Sequence, residues 1–305
     1  MRILFTSDTH VHPAHLDRFL GSARALLPHA AIVDGDINPN WKGSIAASIE
    51  PHIRWIEKKF LPRVEAFHRE HPEIPLLVDF GNDDIAAARR LVEEKDGTVL
   101  HLLHMRVVGL SENLAVAGYM AVNPTPFRIK DLEKADSRDW DGLSPPGIAR
   151  SGSTTAGGVE TPCTLDPSDG TIEEDLDLLS EILESDPWRN SSFVFVSHAP
   201  PRGTVLDRIG GGIGVGSLAV RRFIERWGRT GRLVCSLHGH IHESPRVSGC
   251  AWQYVGDVPA FNAGQQKETL RAILLETGDP AGSARLVTST APGEVTVAEP
   301  GVWLR

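Results

Sequence analysis

The stretch RLVCSLHGHIH, residues 232–242, runs an apolar segment directly into glycine and paired histidines. The apolar part has the length of a buried strand. Two histidines at i and i+2 behind a glycine have few structural reasons to stand together. The same passage from apolar residues into Asp, Asn, His and Gly recurs in RILFTSD (2–8), AAIVDGD (30–36), PLLVDFGN (75–82) and SFVFVSH (192–198). Between these segments lie helical patterns at 14–27, 44–70, 84–95, 171–185 and 216–228. Within the longest, Pro51 is expected near the start and Pro62 at a kink. Strands that alternate with helices imply an α/β fold with a mainly parallel sheet. In such sheets ligands gather at the carboxyl ends of the strands, where all five polar clusters fall.

Two regions break the alternation. Residues 98–118 and 246–290 read as successive strands and turns, which suggests a second, antiparallel sheet. Residues 141–170 contain 18 Gly, Ser, Thr or Pro in 30 positions and read as a mobile loop inside one domain spanning 1–305.

Composition narrows the classes. At 305 residues, with 41% hydrophobic and 23% charged residues, the chain is too apolar for disorder. It has no apolar run of membrane-spanning length, so no membrane association is expected. The start, MRILFTSDTH, lacks the long apolar core of a signal peptide. Cys163, Cys235 and Cys250 form no CxxC pair, which fits a reducing compartment and an expected cytoplasmic location. A formal charge of −9 gives no broad basic face for a nucleic-acid duplex.

Each polar cluster alone has a bland reading. Asp8 with His10, or Gly35 with Asp36, reads as a turn. Gly81-Asn82-Asp83-Asp84 suits a helix cap, and His198 suits a satisfied core histidine. Together, Asp8, His10, Asp36, Asn82, His198, His240 and His242 offer carboxylate oxygens, imidazole nitrogens and one amide. Such donors suit borderline divalent ions. Seven exceed one tetrahedral zinc site and match two ions sharing a carboxylate.

The series Asp8-Thr9-His10, Gly35-Asp36, Gly81-Asn82-Asp83-Asp84, His198 and Gly239-His240-Ile241-His242 resembles the calcineurin-like metallophosphoesterases, over about residues 3 to 264. Their pattern is D-x-H, G-D, G-N-H-[D/E], a lone H and G-H-x-H. The resemblance implies a four-layer α/β/β/α sandwich with two mixed β-sheets and a metal site at the strand C-terminal ends. It implies one metal on Asp8, His10, Asp36 and His242, and a second on Asp36, Asn82, His198 and His240, with Asp36 bridging. The expected cofactors are two divalent metal ions, manganese first, with iron, zinc or nickel as alternatives. The expected reaction is hydrolysis of a small phosphorylated substrate by a water activated between the metals. The alternative is a scaffold protein that retains the fold without turnover.

One position departs from the family pattern. Asp83 stands where the family usually has a histidine, which makes Asp83, with Asn82, a candidate catalytic residue. An ionised aspartate cannot donate to a leaving oxygen and repels a phosphate dianion more than a monoanion. This favours phosphodiesters over phosphomonoesters. The segment 202–217, with GGGIGVGS, has no lysine at P-loop spacing and reads as a flexible flap. Arg202, Arg208 and His12 are candidate substrate contacts. His15 reads as a solvated side chain, and His238 as structural.

Overall fold

The computed structural model describes residues 1–40, 43–140 and 148–299. Two large sheets form the centre. From edge to edge, the first sheet runs Thr296–Val297 (β17), Arg285–Ser289 (β16), Leu270–Glu276 (β15), Arg2–Ser7 (β1), Ala30–Asp34 (β2), Leu76–Asp79 (β3) and His101–Leu102 (β4). The second runs Trp252–Val255 (β13), Val258–Asn262 (β14), Leu233–His238 (β12), Ser192–Ser197 (β9), Leu114–Tyr119 (β6) and Arg106–Ser111 (β5). Pairs β1–β2, β2–β3 and β3–β4 are parallel, as are β6–β9, β9–β12 and β12–β14. The antiparallel pairs lie toward the edges.

Strand periodicity of two builds the layers. In β1, Ile3 and Phe5 face the second sheet, while Leu4 packs into the outer cluster. In β9, Val194 and Val196 meet the first sheet and Phe193 and Phe195 face outward. The outer face of the first sheet is covered by His15–Leu26 (α1), Ile45–Trp55 (α2), Leu61–Glu70 (α3) and Arg89–Glu93 (α4). In α1 the buried stripe is Leu16, Phe19, Leu20 and Ala23, at i, i+3, i+4 and i+7. The outer face of the second sheet is covered by Ile172–Glu184 (α5) and Leu218–Gly228 (α6). In α6, Val220, Phe223, Ile224 and Trp227 repeat the same spacing. The layer order is therefore α/β/β/α, the architecture implied by the sequence resemblance.

Several sequence expectations need correction. The five motif strands do not share one parallel sheet: β1, β2 and β3 lie in the first, β9 and β12 in the second. Nor do the described strands of 98–118 and 246–290 form an antiparallel sheet of their own. They are shared out as edges of both, because each parallel centre needs its exposed ladder paired. Pro51 lies inside α2, which begins earlier, where Ser44 Oγ accepts the Ala47 N–H at 3.2 Å. The helix then widens into a π turn over Ile56–Phe60 before α3, whose first turn contains Pro62. A proline has no N–H for the preceding turn, so the change of hydrogen-bond register falls there.

Of the expected mobile loop, 141–147 lies outside the described residues. The remainder contains a ribbon of Ser151–Thr154 (β7) and Thr161–Thr164 (β8). Its small residues serve packing: a Cβ at Gly152 would lie 2.3 Å from the Arg128 carbonyl oxygen. Asp131 then accepts the Thr155 N–H (2.7 Å) and the Thr154 hydroxyl (2.6 Å). The 202–217 segment is also tied down. It carries a short ribbon of Arg208–Ile209 (β10) and Ile213–Gly214 (β11), with buried Asp207 accepting the Gly203 and Gly216 N–H groups. Among the described residues, no helix is long and apolar enough to cross a membrane.

The layer between the sheets sets the spacing of everything at their ends. Replacing fully buried Phe5 with alanine should cost about 3–5 kcal/mol of unfolding free energy. Urea titration of the metal-free protein checks this; a loss below about 1 kcal/mol would show that the layer relaxes around the cavity.

Candidate metal centre

The carboxyl ends of five strands from two sheets converge at one place. Asp8 follows β1, Asp36 follows β2, Asn82 follows β3, His198 follows β9, and His240 and His242 follow β12. Asp8, Asp36 and His240 have φ of 56°, 50° and 65°, left-handed conformations that L-residues rarely adopt. Neighbouring hydrogen bonds hold them there. Asp8 N–H donates to the Gly35 carbonyl (3.2 Å), and the His10 N–H to the Asp36 carbonyl (2.9 Å). His240 N–H donates to the Asp8 carboxylate (3.1 Å), stitching the second sheet to the first. The glycine of the Asn82 turn is there for space: a Cβ at Gly81 would lie 2.2 Å from Asp36 Oδ1 and 2.6 Å from His198 Nε2.

Two groups of side chains have donor atoms close enough to share an ion: Asp8, His10, Asp36 and His242, and Asp36, His198 and His240. Asp36 belongs to both. Asn82 stands beside the second group, and its Oδ1 is buried without a hydrogen-bond partner. His198 Nε2 is likewise buried and unpartnered, while Nδ1–H donates to the Asp34 carbonyl at 3.1 Å. That bond leaves Nε2 facing Asp36 Oδ2 at 3.3 Å, protonated toward that carboxylate in the metal-free protein and able to ligate an ion once the proton leaves. At His10, Nδ1–H donates to the Asp36 carbonyl (3.2 Å), which frees Nε2. A buried polar atom without a partner is costly in a protein interior, and several at one point are what divalent cations satisfy. The residues fit two ions.

Charges in the metal-free site are arranged around the same atoms. Burial disfavours the carboxylates of Asp8 and Asp36, but the surrounding histidines outweigh it and hold both below the usual range. Burial also disfavours the His242 imidazolium; Asp8, 3.1 Å away, nevertheless carries it up to about 9. His198 is held well above its ordinary value, against burial, by Asp36 and Asp34. His240 is pushed down to about 3, by burial first and then by His198. Burial raises Asp34 to about 6.

Asp83 faces the site. Its Oδ2 lies 3.6 Å from His10 Nε2, its N–H donates to Asp36 Oδ1 (2.8 Å), and its side chain keeps 27% exposure. Burial and Asp36 push it up to about 8 when no metal is bound. It pairs with neither Arg89, which holds Asp79 and Glu93, nor Arg90, which holds Glu94.

The other sequence candidates are placed elsewhere. His12 Nδ1 accepts the Ala14 N–H (3.1 Å) and caps the turn before α1. His15 is buried rather than solvated, with Nε2–H donating to the Gln266 carbonyl (2.7 Å) and Nδ1 accepting from Arg18 (3.1 Å). Arg202 does not line the cavity beside the metal centre, and its backbone carbonyl accepts from Arg221 at 3.0 Å. Arg208 donates to the Thr204 and Gly212 carbonyls, bracing β10–β11. His238 is buried, with Nδ1 on the Ser197 carbonyl (3.0 Å) and Nε2 on Ser236 Oγ (3.0 Å).

Supporting residues were missed. Asn262, at the end of β14, donates from Nδ2 to the Gly239 and Ile241 carbonyls, both at 3.3 Å, and so braces the turn that carries His240. Its signal was present in VPAFNAG (258–264), another apolar run ending in Asn and Gly. Asp34 stood beside the named Gly35-Asp36 pair, and Asp84 stood within the Asn82 motif without a role of its own.

No protein-family model and no curated protein matches the chain. Solved structures do. One matches over 98% of this chain and 99% of its own, at a TM-score of 0.57 and 15% identity. A phosphodiesterase from an archaeon matches over 95% of this chain and 100% of its own, at 0.38 and 12%. A purple acid phosphatase from yellow lupin (Lupinus luteus) seeds matches over 92% of this chain and 52% of its own, at 0.40 and 10%. The first of these carries the comparison, and it shows that the whole chain follows a known fold. The α/β/β/α layering is the architecture that the sequence resemblance implied.

Metal binding should be linked to protons. His242 and His198 are protonated near neutral pH in the metal-free protein and must be neutral to bind an ion. Their raised values mean that protons compete with metal below about pH 9, so affinity should rise between about pH 6 and 8. Calorimetry of Mn²⁺ binding in buffers of different ionisation enthalpy should show net proton release, from His242, His198 and Asp83. Uptake, or no proton change, would place the ions on other residues.

Proposed function

We propose that the chain is a metal-dependent phosphoester hydrolase with a dinuclear centre, acting on a small phosphorylated substrate and favouring diesters over monoesters. The observation that carries this reading is Asp36, shared by both groups of donor atoms, with the buried Asn82 Oδ1 and His198 Nε2 converging on it. Asp8, His10, Asp36 and His242 would hold one ion, and Asp36, Asn82, His198 and His240 the other. When bound, two divalent ions supply Lewis acidity toward phosphoryl oxygens and lower the pKa of a bound water. Manganese is the ion proposed first; the mixed carboxylate, amide and imidazole donors also accept iron, zinc or nickel, and supply decides among them.

The chain's own residues then set the charge. Asp83 lines the cavity, and nearby cations favour its ionised form. At about 5 Å and an effective dielectric near 20, each unit of substrate charge facing it costs up to roughly 3 kcal/mol before screening. A monoester dianion meets this twice and a diester monoanion once. Asp83 also cannot donate to the departing oxygen, so the reading favours good leaving groups.

Two variants test the assignment. Asp36→Ala should lose tight binding of both equivalents of metal and reduce turnover of a nitrophenyl phosphodiester more than any flap substitution. Elemental analysis that still finds two equivalents would remove Asp36 from the bridging role. Asp83→His should raise monoesterase relative to diesterase activity by about tenfold or more, one unit of repulsion being worth at least that. An unchanged or falling ratio, with both metals retained, would show that Asp83 does not set the preference.

A further inference from the structure

The cavity beside the metal centre holds about 500 Å³ and is bounded by Asp36, Asn82, His240 and His242 on one side. The rest of the lining differs in character. It is largely apolar, from Pro124, Pro126, Phe127, Ile148, Ile209 and Val215, with Asn123 and Thr125 among them. Among the described lining residues there is no lysine or arginine; the charged ones beyond the ligand set are Asp83 and Glu243. Phe127 is an aromatic ring left 52% exposed at this wall, on a chain whose other phenylalanines are largely interior.

The wall is held firmly. Fully buried Lys130 donates to the Thr125 carbonyl (3.0 Å) and to Glu133 (2.7 Å), and Glu133 accepts the Thr125 N–H (2.9 Å). This network fixes the Pro124–Pro126 segment from behind. Asn123 is 3% exposed and donates from Nδ2 to the Val215 carbonyl (2.9 Å), joining this segment to the β10–β11 region. A rigid apolar surface with no cation next to an anion-binding centre suits one kind of occupant.

We propose that this wall binds the organic arm of the substrate, and that the arm is an uncharged, largely apolar group, with an aromatic ring stacking on Phe127. The inference rests on the hydrolase reading and narrows it to a substrate class. Phosphodiesters with an aryl or similarly apolar ester arm fit the wall. Esters whose arm carries further negative charge, such as polyphosphates, meet Asp83 and Glu243 with no compensating cation. Phe127 is then a specificity-determining residue, acting on binding and leaving the reacting atoms untouched.

The test uses the Mn²⁺-loaded full chain and a series of p-nitrophenyl phosphodiesters that share one leaving group and differ in the other arm: methyl, phenyl and 4-carboxyphenyl. KM should fall about tenfold or more from methyl to phenyl, from burial of the ring. It should rise again by about tenfold for 4-carboxyphenyl, since its charge is uncompensated. In Phe127→Ala most of the KM difference between the phenyl and methyl esters should disappear. In parallel, calorimetry compares dimethylphosphinate with methyl(phenyl)phosphinate, monoanions that have no ester bond to cleave. The phenyl compound should bind about tenfold more tightly, and Phe127→Ala should remove the difference. Turnover of all three esters with equal KM, or equal binding of the two phosphinates, overturns the inference and leaves the hydrolase reading standing. Tighter, Phe127-dependent binding of the phenyl phosphinate without turnover of any ester supports the apolar arm site and overturns the hydrolase reading instead.

Discussion

Asp84 accepts the backbone N–H groups of Ile37 (3.0 Å), Asn38 (2.8 Å) and Gly81 (2.8 Å), and the side-chain amide of Asn38 (2.9 Å). It is fully buried and does not reach the proposed ions. Those bonds join the turn after β2 to the turn after β3, and so fix Asp36 against Asn82. Burial and nearby Asp36 raise it to about 7, while the three backbone donors pull the other way. A carboxylate is suited to this position because it can accept from several donors that a loop without ladder partners leaves unsatisfied. Without it, the bond from the Asp83 N–H to Asp36 Oδ1 would be left to tie the two turns, and the Ile37, Asn38 and Gly81 N–H groups would lose their acceptor.

The second constraint joins the sheets. Asp8, His10, Asp36 and Asn82 come from one sheet, and His198, His240 and His242 from the other. Their mutual distances are set by the apolar layer between, where Ile3 and Phe5 meet Val194, Val196 and Leu237. At the end of that layer, Gly239 lies so near Ser7 that a Cβ would come within 2.5 Å of the Ser7 Cβ. The contact lets the His240 N–H reach Asp8 across the seam. Strained backbone at Asp8, Asp36 and His240 is sustained because packing and hydrogen bonds from both sides over-determine it.

Legibility in the sequence followed the range of the forces involved. Strand and helix positions were readable because burial imposes period 2 on β1 and β9 and period 3.6 on α1 and α6, and both are local. The convergence of Asp8, Asp36, His198 and His242 was readable because apolar runs stop at strand ends and chemistry begins there. The division of the motif strands between two sheets was not readable, since it depends on which distant strands pair. The ribbon at 151–164 was hidden by composition: glycine and threonine serve turns and tight packing equally well, and only the close approach of Arg128 to Gly152 decides. His15 looked solvated because its partner, the Gln266 carbonyl, lies 251 positions away. Asp84 looked like part of a helix cap for the same reason, its donors lying 46 and 47 positions back.

Charge ties the layout to its proposed chemistry. The chain carries −9 overall, and among the described residues the cavity lining adds carboxylates and no lysine or arginine. Without bound cations, Asp8 and Asp36 are balanced mainly by protons on His242 and His198, and little remains to attract an anion. Two divalent ions bring four positive charges against those two carboxylates, a local surplus in a site mostly closed to water, where fields are weakly screened. On the proposed reading, affinity for phosphate would belong to the loaded centre alone, because the described lining residues supply no lysine or arginine. A site built with arginines would bind anions with or without metal and would favour the most highly charged. On the proposed reading, anion binding would be conditional on the ions, and discrimination among substrates would fall to Asp83 and the apolar wall.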